Sequence, residues 1–404
     1  MSTSLPSSSS SISKALILLL GLAVGVIAAN LYYAQPLVGL ISKALHLETS
    51  LAGLIVTLTQ VGYGLGVLLI VPLADIVENR KLILTMIVVT IASLLSLAFA
   101  TSLIPYFLAA FATGLGASTV QVIVPYAAHL APEATRGRVV GSLMSGLMIG
   151  IMLSRPIASI LTDLFSWHAV FYFSAALMLL LGLALYKLLP ERQPNSTGLQ
   201  YTKLIASMGN LFVDIPILRR RALYQACMFG AFSLFWTTTP LLLVDEFHLS
   251  QTAIALFALA GVAGAISAPF AGRMADQGHS RRATTVAMLS ASASFLVTHI
   301  FTPGSSAALG VLVFAAILLD AGITANLVLG QRAIFALSPE LRGRLNGLYV
   351  ATIFVGGALG SYLGAWAYAR GGWPLTSWVG VLFPLIAFVY FGTEKITGFQ
   401  KISQ

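Results

Sequence analysis

An all-α membrane protein of twelve transmembrane helices, built as two six-helix pseudo-symmetric halves, is the fold class this sequence predicts. Three observations carry that expectation. Of 404 residues 58% are hydrophobic and only 9% charged, and the mean hydropathy is +0.92, too apolar for the surface of a soluble chain of this size. Apolar runs of about 20 residues, the length that crosses a bilayer, recur with short polar breaks. Polar motifs of the first half return in the second at a nearly constant spacing.

Residues 1–13, Met-Ser-Thr-Ser-Leu-Pro followed by a serine run, cannot bury a core and read as a disordered tail. The apolar run after Lys14 has no small-residue cleavage site before Asn30-Leu31-Tyr32-Tyr33-Ala34-Gln35-Pro36, so it reads as a first membrane helix rather than a signal peptide. The N-terminal half, 14–189, has predicted spans at 14–35, 49–72, 81–102, 106–130, 139–162 and 167–189. Residues 190–221, with Pro190, Pro194, Asn195, Ser196, Gly198 and the run Arg219-Arg220-Arg221, read as a cytoplasmic linker. The C-terminal half, 222–393, has spans at 222–245, 252–272, 282–302, 306–335, 345–369 and 374–392, and 394–404 form a cytoplasmic tail.

The net charge of +9 sits in short loops between apolar runs, which argues against nucleic acid as a partner. Arg80, Lys81, Arg273, Arg281 and Arg282 fall in the second-to-third and eighth-to-ninth connections. Arg136, Arg138, Arg342 and Arg344 fall in the fourth-to-fifth and tenth-to-eleventh. The opposite loops hold Lys43 and Arg370, so both termini are expected in the cytoplasm. The single cysteine, Cys227, excludes an internal disulfide and reads as a small core residue.

Gly272-Arg273-Met274-Ala275-Asp276-Gln277-Gly278-His279-Ser280-Arg281-Arg282 echoes Leu73-Ala74-Asp75-Ile76-Val77-Glu78-Asn79-Arg80-Lys81 at an offset of 201. Arg136-Gly137-Arg138 returns as Arg342-Gly343-Arg344, and Trp167 as Trp373, at an offset of 206. A five-residue length difference reconciles the two offsets and implies duplication.

On these residues the chain resembles the major facilitator superfamily over nearly its whole length. The second-half loop is close to that family's Gly, Ala-Asp, Gly and basic-pair motif; the first half keeps Leu73, Asp75, Arg80 and Lys81 but has Val71, Ile76 and Glu78 at positions where glycine, a basic residue and glycine are usual. Asn30 to Pro36, Arg155-Pro156, Asp320 to Arg332 and Arg344-Leu345-Asn346 resemble bacterial efflux permeases near the drug:proton antiporter branch. The coupling Arg of many such antiporters is absent from Ala110-Phe111-Ala112-Thr113-Gly114, and their fifth-helix glycine ladder survives only as Gly141, Gly150 and Ser154-Arg155-Pro156. The resemblance implies a monomeric secondary transporter of the bacterial inner membrane, with a small-molecule substrate, protons and the lipid bilayer as its partners.

A cytoplasmic gate is expected from Asp75, Arg80, Lys81, Arg136, Arg138, Asp276, Arg281, Arg282, Arg342 and Arg344. Each Asp is read near the start of the following helix, within reach of arginines across that face; topology and helix capping explain the same residues. Arg155 and Asp320 are embedded charges, each costing about 2.5–3.5 kcal/mol at a helix centre. Neither has a charged repeat partner, since offset 206 leads to Ser361 and Gly114. They are expected at similar depth, as a proton-coupling pair or a structural one. A carboxylic acid in a cavity favours its neutral form and a nearby guanidinium the ionised one, which suits exchange of a proton.

Thr324 and Gln331 share a helical stripe with Asp320, while Arg332 is read as snorkelling to the interface. Asn30, Tyr32, Tyr33, Gln35, Gln60, Tyr63 and Gln121 are candidates for substrate hydrogen bonds or for helix–helix ones. Phe229, Phe232, Phe235 and Trp236 form an aromatic wall or ordinary packing. Gly356, Gly360, Gly364, Gly137 and Gly141 read as helix-packing positions. The six histidines lack metal-ligand spacing, no phosphate-binding Gly-Lys-Ser/Thr loop occurs, and no catalytic constellation appears, so no metal, no cofactor and no enzymatic activity are expected. Efflux of a small organic solute by proton antiport is the leading expectation. Proton-coupled or facilitated uptake of a small, possibly anionic solute is the alternative, and a non-transporting sensor the third.

Overall fold

In a computed structural model, residues 13–194, 200–264, 266–338 and 341–394 are described. The expected N-terminal tail short of Ser13, linker residues 195–199 and the C-terminal tail beyond Glu394 lie outside them. The membrane helices are α1 Lys14–Ala29, α2 Thr49–Asp75, α3 Asn79–Ala98, α4 Leu103–Leu130, α5 Glu133–Leu164, α6 Trp167–Leu188, α7 Pro216–Asp245, α8 Gln251–Asp276, α9 Ser280–Leu296 and α10 Ser306–Phe335, with α11 and α12 within Arg342–Gly392. The last two are separate because Gly371 and Gly372 leave helical geometry, Gly372 at a φ of +58° that only glycine adopts without strain. The described residues therefore form an all-α membrane protein with twelve membrane helices.

Among the boundaries that differ from the sequence expectation, two change the reading of polar residues. The span predicted for 14–35 ends at Ala29, and the chain continues through a turn and Gln35–Leu37 into a short helix, Val38–Ala44. Asn30 stops it by donating from Nδ2 to the carbonyls of Val26 and Ile27, and Pro36 disfavours helix at the residue before it. Helix α7 starts at Pro216, not 222, since Pro is favoured at the first helical position, so Arg219–Arg221 lie inside α7. The linker also holds a helix, Tyr201–Asp214, whose Tyr201 hydroxyl donates to the Leu69 carbonyl.

Duplication is visible in packing as well as in motifs. A side chain at Gly150 of α5 would strike the backbone of Gly25 in α1; one at Gly356 of α11 would strike Ala226 in α7. These contacts are related by the same offsets, 226 − 25 = 201 and 356 − 150 = 206. Gly146 against Gly21 and Gly360 against Gly230 extend the two seams. Such close approach is how helices associate where lipid offers no hydrophobic gain. Gly137 and Gly141 face nothing within 4 Å, so their expected packing role is corrected: they precede the crossing at Gly146 by about 2.5 and 1.4 turns.

At the end away from the basic loops the halves meet across α5 and α8 and across α2 and α11. There Thr252 donates to Asp163 at 2.5 Å, the Thr57 and Ser361 hydroxyls lie 2.7 Å apart, and Gly53 packs on the Ser361 carbonyl. At the basic end α5 and α8 part, leaving Arg136, Arg138, Ser142, Ser145, Arg273 and Asp276 exposed.

Glu78, where the family motif usually has glycine, has a structural task. Its buried carboxylate caps α3, accepting from the N–H groups of Arg80 (2.7 Å) and Lys81 (2.8 Å), and takes a third bond from Arg192 N–H at 3.1 Å. Burial pushes its carboxyl up, but these backbone donors and the Lys81 charge outweigh burial and hold it below its ordinary range. A depressed carboxyl stabilises the fold above its unfolded-state titration and loses that contribution as pH falls through the folded-state one. Glu78→Ala should cost about 1–2 kcal/mol at neutral pH. In thermal unfolding in detergent, the gap to wild type should close as the pH is lowered past the carboxylate range; a gap unchanged at pH 3 would remove the charge from the explanation.

Candidate substrate and proton site

The break after α1 positions the core of the site. It carries Tyr32 and Gln35 inward onto Arg155 of α5: the Arg155 Nε donates to Gln35 Oε1 at 2.8 Å, and the guanidinium lies 5.2 Å from the Tyr32 ring. Gln35 is fully buried and Arg155 only 4% exposed. From the other half, α7 presents Phe232 and Trp236 to the same guanidinium at 5.1 and 4.4 Å. The Trp236 indole then donates from Nε1 to Asp320 Oδ1 of α10 at 3.0 Å. Asp320 is buried, and α8 reaches it through Gly261 and Gly264, where any larger residue would collide with it.

Arg155 and Asp320 do not meet directly. No Arg155 nitrogen lies within 4 Å of an Asp320 oxygen among the described residues; Trp236 stands between them, stacked on the cation and bonded to the carboxyl. Equal depth on two helices does not ensure contact when a bulky side chain from a third fills the gap.

Beyond this core the halves are joined by neutral contacts. Gln60 Nε2 donates to Ser233 Oγ at 2.7 Å, leaving its Oε1 buried without a partner. Tyr63 stacks on Phe354 at 4.2 Å and accepts from Gln121 Nε2 at 3.1 Å, and Gln121 Oε1 accepts from Asn346 Nδ2 at 3.2 Å. The rings of Trp236, Phe232, Phe229, Phe354 and Tyr63 make one aromatic strip. Thr324 and Gln331 lie half-buried on α10. Sequence reasoning missed Ser233, Phe354, Asn346 and the buried pair of Gln225 with Asn326, 2.7 Å apart. Ser233 had a signal, standing four residues after Phe229 on the aromatic face; the rest needed their cross-helix neighbours to be known.

Two expected substrate contacts are corrected. Asn30 is saturated within the protein, donating to α1 carbonyls and accepting from Ser174 at 2.6 Å, so it stops a helix. Tyr33 lines a flank concavity between α1, α5 and α6, because leaving helical geometry turns Tyr32, not Tyr33, toward Arg155. That concavity, about 710 Å³, and another of about 760 Å³ between α2, α11 and the linker helix are almost wholly apolar and lie outside the polar core.

Among the described residues no gate ion pair within 4 Å crosses the halves, although Asp75 lies near enough to Arg344 for their charges to interact. Asp276 pairs with Arg332 of its own half, which also donates to the Gly272 carbonyl at 3.0 Å, so Arg332 binds the loop rather than simply reaching the interface. Arg136 and Arg342 donate to the carbonyls of Ala128 and Phe335, capping α4 and α10. Arg80 bonds Glu191 and the Tyr186 carbonyl, and Arg281 the Glu394 carbonyl, tying down the ends of α6 and α12. Asp75 is exposed, Glu78 rather than Asp75 caps the next helix, and Lys81, Arg138 and Arg282 project outward, with Arg344 partly exposed. With the basic end parted, helix-end carbonyls are the nearest acceptors.

A duplicated helical bundle with a buried polar core between its halves defines a multi-pass membrane transporter. The sequence profile of the Major Facilitator Superfamily matches residues 20–313 and 221–398, and the chain belongs to that family. It is 39% identical over 376 residues to "Uncharacterized transporter YgaY" of Escherichia coli O157:H7, covering 93% of this chain and 94% of that one. It is 31% identical to "Probable transporter SCO4007" of Streptomyces coelicolor, over 88% and 82% of the two chains. Among solved structures, a bacterial homologue of the human lysosomal transporter Spinster, inward-facing and occupied, superposes with a TM-score of 0.75 at 15% identity, covering 94% of this chain and 96% of that one, and shares the fold.

Proposed function

We infer that this transporter is a proton-coupled secondary transporter of a small organic solute, working by alternating access between its halves, with Asp320 as the group that takes up and releases the proton. The observation that carries the reading is Trp236. One indole stacks on a cation of the N-terminal half and bonds the buried acid of its own half, so a change in Asp320 protonation alters a contact that spans the interface. The basic end faces the cytoplasm of a bacterial inner membrane, by the distribution of Lys and Arg.

Export in exchange for protons follows from the resemblance to efflux permeases. Uptake together with protons is a second reading, favoured by the Arg155 Nη2, which is buried without a hydrogen-bond partner. Purified protein in liposomes with an entrapped pH dye tests both. A solute that the protein moves should shift the internal pH, acidifying the compartment it leaves if exchanged for protons and the one it enters if cotransported. Solute flux with no proton movement would sink the coupling assignment.

A further inference from the structure

We propose that the central site binds the carboxylate of a small organic anion, held by Arg155 Nη2 and Gln35 Nε2, with its apolar body against Tyr32, Phe232 and Trp236. This rests on the proton-coupled reading above, in its cotransport form, and names its substrate class.

The donors are the first argument. Arg155 Nη2 and Gln35 Nε2 are both buried and both without a partner. The Gln35 amide cannot be turned to relieve this, because its Oε1 already accepts from Arg155 Nε and a reversed amide would set donor against donor. Nε and one terminal nitrogen of a guanidinium form a two-donor edge; Gln35 occupies half of it and stands beside the other half. A carboxylate has two oxygens for two such donors. A neutral polyol brings no charge to the guanidinium, and a cation is repelled by it.

Charge is the second argument. A buried guanidinium with no carboxylate within 4 Å is costly, and stacking on Tyr32, Phe232 and Trp236 offsets only part of that cost. The same rings present an apolar wall that continues through Phe229, stacked 5.2 Å from Phe232. A bound acid with a ring or short alkyl body meets both requirements.

Among the described residues the charged and titratable groups around the site are Arg155, Asp320 and Tyr32, with Tyr63 beyond Tyr32; α8 brings Gly261 and Gly264 against Asp320. Arg155 and ionised Asp320 sum to zero, so an incoming anion leaves one excess negative charge, which a proton on Asp320 removes. Anion and proton therefore enter the site together, which selects cotransport over exchange.

Binding is measured on the purified full-length protein in detergent, by titration calorimetry with benzoate, phenylacetate and hexanoate, and with benzamide and benzylamine as neutral and cationic counterparts. No gradient is involved, so the result is independent of whether transport is proton-coupled. At least one acid should bind saturably, more tightly at pH 6 than at pH 8, with no binding of the amide or amine. Arg155→Gln should weaken that binding about 30-fold or more, and Gln35→Leu, which leaves the charge in place, about threefold or more. A wild-type thermal midpoint for Gln35→Leu keeps the test meaningful should Arg155→Gln fold poorly. Equal binding of benzamide and benzoate, undiminished binding by both variants, or no binding of any of the three acids would overturn the assignment.

Discussion

Asp320→Asn should reduce proton-driven solute accumulation in liposomes about 100-fold, to the level of empty vesicles, while solute–solute exchange persists. Asp320 is the carboxyl group in the middle of a span among the described residues; Asp75, Asp163, Asp245 and Asp276 stand at helix ends. The substitution is nearly isosteric, and the amide oxygen can still accept from the Trp236 indole, so the fold and the stack on Arg155 should survive. Only the exchangeable proton is lost. A gradient drives accumulation through that proton alone, whereas exchange needs only the two halves to rock with solute bound. Unchanged accumulation by the variant would assign coupling elsewhere; loss of exchange as well would show that Asp320 holds the structure together.

Gly360→Val should largely abolish recovery of folded protein from membranes, whereas Gly141→Ala should leave recovery and melting temperature unchanged. The Cβ of any residue at 360 would overlap the Gly230 carbonyl of α7, and a branched side chain cannot rotate away from it. Because Gly356 meets Ala226 one turn earlier, α11 cannot shift along its axis to escape. Overpacking usually costs about 1–3 kcal/mol when side chains can yield, and here the obstacle is backbone. Gly141 faces open space, so it separates steric cost at the seam from loss of glycine in a helix. Normal recovery of Gly360→Val would mean that α7 and α11 are held by contacts other than this seam.

The two experiments address different layers of the molecule. The related glycine seams between α1 and α5 and between α7 and α11 belong to the duplicated scaffold. Asp320 and Arg155 have no counterpart in the other half and belong to the task. A chain that keeps the first and loses Asp320 should fold and exchange solute without proton-driven accumulation.

From sequence alone, span length, the recurrence of the Asp75 and Asp276 loops and the paired Arg136 and Arg342 motifs determined the membrane class, the twelve helices and the duplication. These follow from local chemistry, because twenty apolar residues must cross lipid whatever they pack against. The two embedded charges were legible for the same reason, as ionised groups in lipid are too costly to be incidental. Tertiary structure decided what those charges touch. That Trp236 separates Arg155 from Asp320, that Tyr32 faces the site while Tyr33 faces a flank, and that Asp276 pairs with Arg332 depend on how helices from both halves rotate and cross. Helical periodicity assigns a residue to a face but not the neighbour that face meets, and at Asn30 the periodicity itself ended, because a side chain took the backbone's hydrogen bonds.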